Sequence, residues 1–146
     1  MPFRRIPAAL MLLACAPALA QQPVLPASPL AARAAARFPQ PVRVGDLLGK
    51  EVLRPVEAQD VLGRVAAIAR RPDGAVLIVV RLGGVLGLGA RPVAVPVEAT
   101  ALLGPYLAVM DLSPEQLRAL PTYDGAGAQS LPVDETIRVG LTRPFH

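Results

Sequence analysis

The sequence predicts an all-β domain: a small antiparallel β-barrel with one short C-terminal helix, set behind an export signal and a flexible linker. Three observations lead there. Apolar side chains make up 53% of the 146 residues, yet 17 prolines and 12 glycines cut them into runs too short for a helical bundle. Arg71-Pro72-Asp73-Gly74 separates two of those runs in the manner of a hairpin turn, proline presetting the first turn angle and glycine accepting a positive one. Ser113-Pro114-Glu115-Gln116 opens a stretch with the signals of a capped helix.

Residues 1–20 have the order of features of a secretory signal peptide. Arg4 and Arg5 form a positive start, an apolar stretch follows, and Ala18 and Ala20 place small side chains at minus three and minus one of a cleavage site before Gln21. The apolar segment 6–20 contains Pro7 and Pro17 and is shorter than the roughly 20 residues a membrane span needs. The expected mature chain therefore has no transmembrane segment. Cys15, after Leu12-Leu13-Ala14, loosely resembles a lipidation site, and a lipid-anchored envelope protein is the alternative. Cleavage after Ala20 removes the chain's one cysteine, so the exported domain must hold together by packing without disulfides.

Residues 21–41 are rich in proline and alanine and read as a flexible linker. Residues 30–38 could make a short helix there, but prolines flank them. The domain is placed at 42–123. Its strands are expected at 50–53, at 61–70 and 75–82 as a hairpin, around Val93, Val95 and Val97, and at 106–112. Val76-Leu77-Ile78-Val79-Val80 is nearly all β-branched and reads as buried on both faces. Pro96 marks an edge or a strand end. The helix spans 114–120, with Leu117 and Leu120 on one face. Closing the sheet into a barrel would satisfy its edge strands without disulfides. Residues 124–146 form a flexible tail in which Ile137, Val139 and Leu141 alternate with Arg138, Gly140 and Thr142, the pattern of a last strand returning to the domain.

Four segments, in order along 42–123, resemble the PRC-barrel family, named for the photosynthetic reaction centre. They are Val44-Gly45-Asp46-Leu47-Leu48-Gly49-Lys50-Glu51-Val52; Leu62-Gly63-Arg64-Val65 with Arg71-Pro72-Asp73-Gly74; Leu82-Gly83-Gly84-Val85-Leu86-Gly87-Leu88-Gly89 through Val93-Ala94-Val95-Pro96; and Leu112-Ser113-Pro114-Glu115-Gln116-Leu117 closing at Pro121-Thr122-Tyr123-Asp124. The family often carries aromatics where Val85 and Val97 stand here, so partner contacts made through those aromatics are not carried over. The resemblance implies a binding or scaffolding module with no catalytic residues to transfer. Relatives occur in the reaction-centre H subunit and in a bacterial ribosome-maturation factor, and neither role transfers to an exported chain.

The residues themselves point away from several chemistries. Of 15 basic groups, Arg4 and Arg5 leave with the signal, and the remaining 13 face 11 acidic groups with no basic run longer than Arg70-Arg71. That is not the clustered, aromatic-laced basic face of a nucleic-acid binder. His146, the single histidine, is the final residue and gives a triad or metal site no rigid platform. Asp134 and Glu135 are adjacent, and would point to opposite faces of a strand; Glu98 and Asp111 sit at strand ends, where hydrogen bonding is the expected role. Gly83-Gly84 and Gly87-x-Gly89 lack the Lys-Ser/Thr and the following helix that phosphate cradling requires, and read as turn geometry. No catalytic, cofactor-binding or metal-binding residue is expected. What remains is the apolar connection Val85, Leu86, Gly87 and Leu88, which either folds over the barrel mouth or forms a partner-binding loop. The expectation is a non-enzymatic binding or scaffolding protein, periplasmic or secreted, with an envelope protein or a further copy of the chain as partner and an enzyme subunit as the remaining alternative.

Overall fold

The computed structural model describes residues 29–54, 60–83 and 89–142. Its centre is the hairpin of β3 (Val61–Arg70) and β4 (Val76–Leu82). In the turn between them the Ala75 N–H donates to Asp73 Oδ1 at 2.9 Å, and Gly74 takes a φ of 88°. Those are the two positions for which aspartate and glycine suit a turn. β4 is buried over Leu77, Ile78, Val79 and Val80, as its β-branched composition predicts. A bulge interrupts β3: Val65 faces Val80 and Ala67 faces Val79, leaving Ala66 as the extra, exposed residue. The apolar run of β3 therefore does not alternate along its length.

The remaining strands add on both sides. β2 (Glu51–Leu53) pairs antiparallel with β3 and parallel with β7 (Tyr106–Val109); β5 (Arg91–Pro96) pairs antiparallel with β4. β6 (Thr100–Leu103) lies between β7, antiparallel, and β9 (Thr136–Leu141), parallel, and β1 (Gln40–Arg43) pairs antiparallel with β9. The order across the sheet is β1-β9-β6-β7-β2-β3-β4-β5, with the two-residue β8 (Gln129–Ser130) paired to the far end of β3.

This is a mostly β fold, with 45% strand and 19% helix among the described residues, but the expected closed antiparallel barrel is corrected to a mixed sheet that does not close. The edges are handled differently. Terminal strand β1 carries Pro41 and terminal strand β5 carries Pro92 and Pro96, residues without an N–H to offer a further strand. β5 is also covered: Val93 bridges Thr122, and the Tyr123 N–H donates to Pro92 O at 2.8 Å.

Three further expectations change. One short helix becomes three: α1 (Pro29–Ala35), α2 (Val44–Leu47) and α3 (Pro114–Ala119), with a 3-10 turn at Val97–Ala99 taking Val97 out of the strand. The segment read as a linker carries α1 and the start of β1, held by Arg33 and Arg37 on Asp111. Arg37 Nη1 also donates to Glu98 O at 3.1 Å. The segment read as a flexible tail with a returning last strand supplies that strand as β9, together with β8, and β9 sits inside the sheet rather than at its margin, with Ile137 and Val139 buried. A boundary at Tyr123 would leave β1 and β6 without the strand between them.

The core runs under these elements. Val44 and Leu47, one turn apart on α2, are buried with Ile68, Ile78, Val80, Val93, Val95, Leu107 and Val139. Each such side chain contributes roughly 1.5–3 kcal/mol on burial. Helix α3 seats Leu117 on the same cluster. The Ser113–Gln116 capping box closes its start, at 3.1 Å and 2.8 Å. Its end is capped from outside: the Arg91 guanidinium donates to Leu120 O at 2.7 Å and to Arg118 O at 2.6 Å, satisfying carbonyls the helix leaves free.

Candidate functional site

β4 ends at Leu82 and β5 begins at Arg91, and the connection read as either a cover over the barrel mouth or a partner loop lies between them. Val85, Leu86, Gly87 and Leu88 fall outside the described residues, as do Cys15, Ala18, Ala20 and His146. The frame of that connection is described. Gly83 and Gly89 have φ of 72° and 78°, a left-handed backbone at each end that favours glycine. Both fit the reading of these glycines as turn geometry.

Two open depressions adjoin at this end of the sheet. One, of about 400 Å³, is lined by Glu51, Val61, Gly63, Arg64, Arg81 and Ala90 among others. The second, of about 320 Å³, lies against α3, with Arg91, Pro114, Leu117 and Arg118 in its wall. Val61, Leu62 and Gly83 line both. Val61 is 59% exposed, unusual for a valine opening a core strand.

The electrostatics of the first depression come from one row across three strands. Glu51 of β2 faces Arg64 of β3, and Arg64 faces Arg81 of β4. Arg64 Nη2 donates to Glu51 Oε1 at 2.8 Å. Among the described residues the Arg81 guanidinium has no hydrogen-bonding or ionic partner, and its neighbour on β3 is another cation. Like charges placed opposite one another destabilise a strand pair. Gly63 is required beside them: a Cβ there would overlap the backbone carbonyl of Arg81. Near the second depression the exposed Glu115 carboxyl is held below its usual range, first by a backbone hydrogen bond and then by the Ser113 hydroxyl.

The carboxylates singled out from sequence are not assembled into a site. Asp111, its side chain only 7% exposed, is occupied by Arg33 and Arg37. Glu135 pairs with Arg70 at 2.6 Å, and Asp134 is exposed beside it. Among the described residues no three His, Cys, Asp or Glu side chains gather where a metal could sit, and no helix is long and apolar enough to cross a membrane. Sequence reasoning missed the Arg64–Arg81 row because the bulge at Ala66 decides it. Counting outward from the turn with Arg70 opposite Val76, an unbulged hairpin would set Arg64 against Leu82. Comparisons with family models, with curated proteins and with solved structures find no match to this chain.

Proposed function

We propose that this chain is an exported, non-enzymatic binding module whose partner-facing surface is the end of the sheet around the Gly83–Gly89 connection. The observation that supports the reading is the pair of adjoining depressions sharing Val61, Leu62 and Gly83, lined by an exposed valine and by an arginine without a partner among the described residues, at the end of the sheet where β4 stops and β5 starts. A concavity with a few converging polar groups is the default place to look for a binding surface. The export part of the reading rests on Arg4, Arg5, Ala18 and Ala20, and the absence of catalysis on the PRC-barrel resemblance. Cleavage before Gln21 makes the protein periplasmic or secreted; lipidation of Cys15 would anchor the same domain to the envelope.

A double substitution, Leu86→Ser with Leu88→Ser, tests the binding surface. If the connection meets a partner, the melting transition stays close to that of the parent, since surface changes usually shift stability by less than about 0.5 kcal/mol. Capture of the crosslinked envelope partner is then lost. If the two leucines fill the end of the sheet, the same changes cost several kcal/mol, on the order of 2–5 for each buried leucine truncated. Capture then falls only with unfolding, and this surface loses its support.

A further inference from the structure

Resting on that reading, we infer that the Glu51–Arg64–Arg81 depression takes a carboxylate side chain from an extended acidic segment of a protein partner, with Arg81 as the receiving group. Four arginines near the ends of the hairpin and the helices already have partners within the fold. Arg37 holds Asp111, Arg91 caps α3, Arg70 meets Glu135, and Arg64 donates to Glu51. Arg81 is left over, opposite Arg64, on the wall of an open depression. An unneutralised guanidinium beside a second cation attracts one further carboxylate, which would bond to Arg81 with charge assistance and relieve the repulsion along the row.

The other features fit a peptide segment better than the alternatives. A second copy of this chain would bring the same row, two cations to one carboxylate, against its like. A charged membrane surface calls for a broad basic face, whereas here the cations occupy a single row, with Val61 as its exposed apolar neighbour. The recognised feature is thus an acidic residue flanked by an apolar one.

The test uses the purified full chain and two fluorescent nonapeptides of Glu, Leu and Ser, identical except that glutamine replaces each glutamate in the second. The acidic peptide binds and the glutamine peptide does not, and binding weakens as salt is raised. Arg81→Gln lowers affinity about tenfold, the loss of one charge-assisted contact. Arg71→Gln, at the other end of the hairpin, leaves it unchanged. No binding of the acidic peptide, equal binding of both peptides, or equal losses in the two arginine variants overturns the inference. So does Arg81-dependent binding to phosphatidylglycerol vesicles in place of the peptide. If Arg81→Gln leaves capture of the crosslinked partner intact while the Leu86/Leu88 substitutions abolish it, the binding module stands and the acidic ligand falls. If neither set affects capture, this end of the sheet is not the partner surface.

Discussion

The two ends of the β3–β4 hairpin are made of the same strands and are used differently. At the turn end Asp73 accepts from the Ala75 N–H, Arg70 meets Glu135, and β8 pairs along the last residues of β3; Arg71 has no ionic partner among the described residues but stands opposite no other cation. At the open end β3 begins with an exposed valine, two arginines stand opposite each other, and only one has a carboxylate. A depression of about 500 Å³ is present at the turn end as well, between Arg71 and the segment around Gln129. Concavity therefore does not distinguish the ends. The charge left over opposite another charge does, and a surface with uncompensated groups is one that a partner can improve.

Substitutions at matched positions sharpen that contrast. The largest effect belongs to the glycines. Gly63→Ala pushes a methyl into the Arg81 carbonyl across the strand pair, and is expected to cost about 3 kcal/mol or more in urea unfolding. Gly74→Ala, in open space with a φ of 88°, costs only the conformational term of about 1–2 kcal/mol. Equal costs would mean that β3 and β4 do not approach as closely as described. The arginines come next. Arg70→Gln loses its partly exposed pair with Glu135, about 0.5–1 kcal/mol. Arg81→Gln loses no partner and relieves a like-charge contact, so stability stays within about 0.5 kcal/mol of the parent. A loss at Arg81 as large as that at Arg70 would show that its charge already serves the fold.

How much of this was legible follows from what each feature depends on. Local chemistry was readable: the Arg71–Gly74 turn, the Ser113–Gln116 cap and the double burial of β4 each follow from neighbours in sequence. The return of Ile137 and Val139 was visible as alternation, though not their place inside the sheet between β1 and β6. Long-range pairing was not readable. Arg37 sits among prolines and alanines and gains its meaning from Glu98 and Asp111, 61 and 74 positions away. Arg91 caps a helix 26 residues downstream. The parallel neighbours β2–β7 and β6–β9 join strands distant in sequence, and prolines blunt the terminal strands of the open sheet they belong to. At the candidate site a single bulged residue, Ala66, changes which side chain faces Arg81, and no composition or periodicity announces it.

The most direct measurement is site-specific photo-crosslinking in intact cells, with the reactive side chain placed at Val61 in one variant and at Gln129 in the other. Both positions are exposed, one at each end of the hairpin. The account predicts a discrete partner adduct from position 61, lost when Leu86 and Leu88 are replaced by serine, and none from position 129. A partner adduct from position 129 with none from position 61 would contradict it.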